Sequence, residues 1–505
     1  MPLCKGNSLV SVTQRTILFL IADTGAGHRS AANAIRNAIM LISQKEQEEW
    51  HVHQQNSAEN NYVQPPSSYR IEIVDAFEEY SHFPLRGVMK LYGPTIRYSP
   101  RLYGRAFKLS NRARGVTTVQ TVSTPLIHNG LLRLITSVRP DVIVSVHPLL
   151  NHLTIRALQD LGLHIPFITV VTDLVSVHYS WFAPGADAYI VPTEQAKQLY
   201  LKRGLDPQRV HVLGMPIDPK FTLPVESKKE LQHKLGLEHG IPVVLLVSGG
   251  EGSGLWPTIQ AISKARLQVQ LLIITGRIKR LYMHLQRIRS SLHVPAKILG
   301  FVHNMPEMMH AADVIVTKAG PGTICEALAC ELPLILNSYL PGQEEGNVTY
   351  VLENNVGSIV HNSVELVDAL RRLVKPGSQV MSQQLVNARR ISRPRTSFDI
   401  ANYILSYLPP LGEPNIWQSV QARKALRTRS KRSRRLSSTS PGMPGGLRRP
   451  VGGMVSSPRR LSFLKQSSMR NLPRSRSQSR TKRIIDQARK FITSTDPLTD
   501  LNGSP

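Results

Sequence analysis

The sequence predicts an α/β protein built from two doubly wound halves, and three observations carry that reading. Short Val- and Ile-rich runs alternate with stretches of helical length, the alternation occurs twice, and glycine-rich turns follow several of the runs. The first series reads "TILFLIA", "IEIVDA", "DVIVSVH", "FITVVTD", "AYIVP" and "VHVLG"; the second reads "VVLLVSGG", "QLLIITG", "AKILGFV", "ADVIVTKAG" and "LPLILN". Apolar strands of this length, separated by enough chain for a crossover helix, form parallel sheets covered on both faces.

The first series ends near "VLGMPIDPKF", where a strand runs into two prolines, and the second begins at Ile241. A periodic segment, "TSFDIANYILSYLPP", is stopped by Pro409-Pro410. These signals divide the chain into a first Rossmann-like domain at 14–214, a second at 215–390, a closing helix at 391–408 and a tail at 409–505. The tail is rich in Arg, Ser, Pro and Gly, so it is expected to be mostly disordered. An amphipathic helix is expected at 481–495, where Ile484, Ile485, Ala488, Phe491 and Ile492 share one sector. Two copies of "RRLS" offer phosphorylation sites that would offset the tail's charge. The polar stretch "SQKEQEEWHVHQQNSAENNYVQPPSSY" reads as a surface insertion after the first helix.

Composition narrows the function classes. No apolar run among the 505 residues approaches the roughly 18 to 20 residues needed to cross a bilayer. "MPLCKGNSLVSVTQRTILFLIADTG" runs directly into the first strand, without a separate apolar region and cleavage site, which predicts a cytoplasmic protein. Cys4, Cys325 and Cys330 have neither an even count nor metal-ligand spacing, so no metal site is expected. Of the net charge of +28, +18 belongs to residues 421–505.

In open α/β sheets ligands bind beyond the carboxyl ends of the strands, where glycine lets backbone N–H groups approach an anion. "DTGAGHRSAA" places Gly25, Gly27 and His28 at such a turn. It lacks both the dinucleotide fingerprint and the lysine of a nucleotide phosphate loop. "VSGGEGSG" places Ser248, Gly249 and Gly250 after another strand, and "TKAGPGTICEAL" places Gly322 and Thr323 between a strand and a helix. Three such loops in two halves argue for a phosphate-bearing ligand in a central cleft.

These segments, together with "VTDLVSVHYSWF" and "PGQEEGNVTYV", resemble the motif set of monogalactosyldiacylglycerol synthases and the processive diacylglycerol glucosyltransferases, over about residues 14–408. The resemblance implies a GT-B fold, two Rossmann-like domains facing a cleft, with a UDP-sugar held mainly by the second. It implies that Glu326 accepts hydrogen bonds from the ribose hydroxyls, that Phe301 and Val302 meet the uracil, and that Gln343, Glu344 and Asn347 meet the sugar. Ser248, Gly249, Gly250, Gly322 and Thr323 would face the diphosphate. UDP-galactose or UDP-glucose is then the donor substrate, with no cofactor required. Carboxylates and amides suit a polyol chemically.

The same resemblance implies inversion by direct displacement, with one general base for the acceptor hydroxyl. His28 is the candidate, since an imidazole with a pKa of about 6.5 suits that task at neutral pH. Asp173 either orients an imidazole or caps a loop. His178 and Trp181 follow on the same segment, and Trp181 resembles residues near the lipid acceptor. From 81 to 140 there is no acidic residue, while Arg97, Arg101 and Arg105 interleave with aromatic and aliphatic residues. Such a stretch suits anionic membrane lipid. The reading is a peripheral enzyme on the cytoplasmic face of the cell membrane that glycosylates diacylglycerol. Two alternatives stand beside it: a GlcNAc transferase acting on a polyprenyl-linked precursor, and a nucleic-acid-binding protein acting through the basic tail. The second is not expected, because it leaves the cleft motifs unexplained.

Overall fold

A computed structural model describes residues 14–56, 66–91, 94–95, 98–223, 226–247, 254–410 and 416–419. The first sheet contains β1 (Gln14–Ile21), β2 (Ser68–Asp75), β3 (Val142–Ser145), β4 (Phe167–Val170), β5 (Ala188–Val191) and β6 (Val210–Val212). The second contains β7 (Val243–Val247), β8 (Gln270–Ile274), β9 (Ala296–Leu299), β10 (Val314–Lys318), β11 (Leu334–Ser338) and β12 (Gly357–Ile359). All pairings are parallel. This is the GT-B architecture.

The strand orders locate the sites. The first sheet runs β2-β1-β3-β4-β5-β6 and the second β12-β11-β10-β7-β8-β9. The direction of winding reverses between β1 and β3 in one and between β7 and β10 in the other. At such a reversal the two following loops diverge to opposite faces and leave a crevice beyond the strand ends. The turns after β1 and β10 are therefore where a ligand fits.

Packing explains why the sequence takes these shapes. β1 is buried on both faces from Ile17 to Ile21, as a central parallel strand must be. The helix Ala26–Asn56 covers it with Ala31, Ala32, Ala34 and Ala38, whose small side chains allow close approach. Phe398, Ile400, Ala401 and Ile404 of the helix Thr396–Leu405 complete the same core, so the chain returns to the first sheet after building the second. The first half of the polar stretch is helical and not an inserted loop: Gln, Glu and Lys are strong helix formers, and a Lys45–Glu49 pair one turn apart supports it. β12 has no counterpart among the sequence-predicted strands, because three residues beginning with glycine carry too little pattern. Apart from 409–410 and 416–419, the tail, with its expected helix at 481–495, lies outside the described residues. No helix among the described residues is long and apolar enough to cross a membrane.

Candidate functional site

β1 ends in the turn Asp23-Thr24-Gly25, and Gly25 takes φ +135°, a backbone conformation that a side chain would strain. The helix Ala26–Asn56 starts there, so Gly27 and His28 sit in its first turn. His28 Nδ1 lies 3.1 Å from Thr172 Oγ1, which follows β4. Its ring meets that of His147, which follows β3, edge to face at 4.6 Å. Three adjacent strands thus deliver one cluster. His147 Nε2 lies 3.2 Å from Thr24 Oγ1, returning the contact to the glycine turn, while its Nδ1 is buried without a partner among the described residues.

Burial decides the charge state of both rings. The Val146 carbonyl and Asp23 favour protonated His28, yet desolvation outweighs them and pushes its pKa down to about 4. His147 is likewise pushed well below its ordinary value, by burial and by its neighbour His28. The value near 6.5 expected from an isolated imidazole therefore does not hold. Above about pH 4, His28 is neutral and one ring nitrogen is unprotonated, at the expense of basicity.

Asp173 does not orient His28. Its carboxylate accepts from the Trp181 indole N–H at 2.8 Å and the His178 backbone N–H at 3.2 Å, and it is hydrogen-bonded to the Gln343 side chain. Burial, the largest influence, together with the nearby Glu344 charge, pushes its pKa up to about 6 despite those donors. Trp181 is fully buried, so its indole packs inside the fold. His178 Nδ1 accepts from the Ser180 N–H, capping a short 3₁₀ turn, while its Nε2 lies 3.2 Å from Ser110 Oγ.

In the second half, the helix Pro321–Ala329 follows β10, with Gly322 and Thr323 in its first turn and Pro321 at its start, where the missing N–H costs nothing. Glu326 projects from its second turn. Among the described residues no donor reaches its carboxylate, and burial, reinforced by Asp218, pushes its pKa up to about 7. Glu344 is buried, ion-paired to Lys318 Nζ at 2.6 Å and accepting from the Leu340 N–H at 2.8 Å. Asn347 donates to the Ala319 carbonyl at 2.9 Å. These two contacts hold the 340–347 turn against the end of β10. Phe301 is 51% exposed, with the Arg277 guanidinium 4.7 Å over its ring and Val302 half-buried beside it.

Arg101 and Arg105 are exposed on the helix Pro100–Ser110, alongside Leu102 and Leu109. Arg97, Ser248, Gly249 and Gly250 lie outside the described residues. Sequence reasoning missed His147, Thr172, Lys318, Arg277 and the contacts of Tyr103. Strand order is the signal that finds His147: "VSVHP" puts it after β3, on the other side of the reversal from His28.

Two parallel six-stranded sheets with polar groups gathered at both winding reversals are the GT-B fold, and two family models make the chain a glycosyltransferase. Residues 28–217 match the model of the monogalactosyldiacylglycerol (MGDG) synthase family, and residues 244–398 match that of the glycosyltransferase family 28 C-terminal domain. The chain is 32% identical to monogalactosyldiacylglycerol synthase 3, chloroplastic, of Arabidopsis thaliana over 404 residues, covering 77% of this chain and 81% of that one. It is 33% identical to the chloroplastic synthase of Spinacia oleracea over 413 residues, covering 78% of this chain and 73% of that one. The chain belongs to the MGDG synthase family. Solved structures resemble it more loosely: Acinetobacter baumannii MurG at TM-score 0.48 and 13% identity, covering 78% of this chain and 99% of that one, and Anabaena HepE with UDP-glucose at 0.43 and 15%, covering 78% and 100%. Likenesses at that level carry no argument about substrate.

The names of the curated relatives also correct one expectation. These proteins are chloroplastic, which overturns the placement on the cytoplasmic face of a cell membrane. The error arose from reading an address out of a short N-terminal segment.

Proposed function

We propose that the chain transfers a galactosyl group from UDP-galactose to diacylglycerol with inversion, giving a β-galactoside. The observation that carries this is the 32% identity to a monogalactosyldiacylglycerol synthase across about 400 residues, which spans both halves of the cleft. In this reading the acceptor oxygen bonds to the anomeric carbon as the bond to the UDP oxygen breaks, and the acceptor proton passes to His28. A bound diphosphate adds negative charge, which raises the depressed pKa of that imidazole and strengthens it as a base. Gly322 and Thr323, at a helix N-terminus, suit the diphosphate. Glu326 suits the ribose because it is half-buried and no donor among the described residues meets its carboxylate.

The acceptor side of the proposal rests on residues 83–122. Phe83, Leu91, Tyr98, Leu102, Leu109 and Val122 are exposed there, interspersed with Arg101, Arg105 and Lys108. An apolar surface edged with cations favours the interface of a membrane that contains anionic lipid.

The test is to supply the purified protein with labelled UDP-galactose or UDP-glucose and diacylglycerol vesicles in EDTA, then resolve the lipids chromatographically. A β-galactosyl lipid formed preferentially from UDP-galactose is expected. Label appearing only on an added polyprenyl diphosphate lipid, or preferential transfer of glucose, would overturn the reading.

A further inference from the structure

The helix Pro100–Ser110 has two faces with different partners. Arg101, Leu102, Arg105 and Leu109 point outward and are exposed. Tyr103, Gly104 and Phe107 point inward, across the cleft, onto the 340–345 turn of the other half. Tyr103 Oη donates to Gln343 Oε1 at 2.6 Å. Gly104 makes the approach possible: a Cβ there would stand 3.0 Å from Pro341 Cβ and 3.1 Å from the Pro341 carbonyl oxygen. Gly342 turns the opposing chain at φ +85°, where a Cβ would also crowd Phe107 at 3.2 Å. Lys108 and Glu345 flank the contact at 3.6 Å.

We propose that Tyr103 is a positioning residue for the donor hexose, acting by fixing the side-chain amide of Gln343 from a helix that belongs to the other half of the cleft. The inference rests on the proposed use of a UDP-hexose. An amide has one oxygen with two lone pairs and one nitrogen with two protons. The tyrosine hydroxyl takes one lone pair of Oε1, and the hydrogen bond to Asp173 then engages one N–H. The amide is held in one orientation, which fixes the direction from which a sugar hydroxyl can meet it. Asp173 is in turn held by Trp181 and the His178 backbone, so a rigid relay runs from Tyr103 to the core of the first half. The hexose pocket is complete only while the helix is seated, and that helix carries the outward apolar and basic face. Contact with lipid and recognition of the sugar then share one element.

The hydroxyl acts on the sugar and not on the nucleotide, which gives the test its contrast. UDP-galactose and UDP binding are measured by calorimetry on the wild type, Tyr103→Phe and Gly104→Val, without acceptor. Loss of one hydrogen bond to the amide is expected to weaken UDP-galactose binding roughly 3- to 10-fold in Tyr103→Phe, while UDP affinity stays within twofold. Gly104→Val, which pushes the helix off Pro341, is expected to show the same selective loss. In turnover the Tyr103→Phe effect is expected in KM for the donor more than in kcat. Unchanged UDP-galactose affinity in both variants would overturn the inference, and so would an equal loss of UDP and UDP-galactose binding. A wild type that binds UDP but not UDP-galactose would overturn the donor reading on which it rests.

Discussion

His28 and Glu326 stand in comparable places, each in a helix that leaves a strand at a winding reversal, yet their surroundings differ in kind. His28 is met by Thr172, the Val146 carbonyl and the ring of His147. Glu326 is shielded to a similar end, since desolvation favours its neutral form, but no donor among the described residues meets its carboxylate and its charged neighbour is Asp218, of like sign. A half-buried carboxylate without a protein donor keeps acceptor capacity that a ligand can fill. The first half is thus assembled before anything binds, whereas the second keeps hydrogen-bonding capacity open. In the proposed reaction that division matches chemistry against recognition.

The strongest way to break the comparison is His28→Ala. If this imidazole takes the acceptor proton, turnover falls by roughly 10² to 10⁴ while UDP affinity is nearly unchanged, because the proton moves only in the transition state. Calorimetry with UDP beside kcat decides it. A variant that lost UDP binding in step with turnover would move His28 from chemistry to recognition.

Glu326→Gln reverses the emphasis and adds a pH signature. Deleting an ionised acceptor that meets two ribose hydroxyls is expected to weaken UDP by about 1 to 3 kcal/mol at pH 8. The sign of the pH effect follows from competition. With its pKa near 7, the free carboxyl is protonated at lower pH, and ribose donors favour the ionised form, so binding expels that proton. Wild-type affinity should therefore rise by up to tenfold per unit as pH climbs toward 7, then level off. The phosphate's own titration is common to both proteins, so the difference between wild type and Glu326→Gln isolates the carboxyl. Parallel profiles would remove Glu326 from the ribose.

His147→Phe sharpens the first half of the comparison. It keeps a ring beside His28 and removes the contact with Thr24. The expected loss is about tenfold in kcat, the worth of one buried hydrogen bond that fixes the geometry of the turn, with donor KM unchanged. A kcat equal to the wild type would make His147 packing alone.

How much of this was legible in the sequence follows the range of each interaction. Eleven strands and the turns after β1 and β10 were readable, because apolar runs, glycine and proline act within a few residues. Gly25 and Pro321 announce their roles locally. His147 stands 119 residues from His28, as does Gln343 at 240 residues from Tyr103, and no short-range pattern links such pairs. Trp181 invited a reading at the lipid surface, but its neighbours on the chain do not reveal that Asp173 holds its indole inside. The role of Glu344 was read as sugar contact from its motif; the structure adds Lys318, whose amine occupies one of its oxygens.

Arg277→Ala is the mildest test and probes the open edge of the second half. Its guanidinium lies over the ring of Phe301, half of which faces solvent, and a cation–π contact at an exposed site contributes about 0.5 to 1 kcal/mol. If the uracil meets the backbone at Phe301 and Val302, as the family resemblance implies, removing the guanidinium loosens the strand end without deleting a ligand contact. UDP affinity is expected to fall by roughly two- to fivefold, uridine affinity by the same factor, and kcat at saturating donor not at all. Equal factors for UDP and uridine matter most, because they separate a base-side stack from a phosphate-binding arginine. If UDP weakened far more than uridine, Arg277 would be reaching the diphosphate, and the second half would hold a charge clamp in addition to its unpartnered carboxylate.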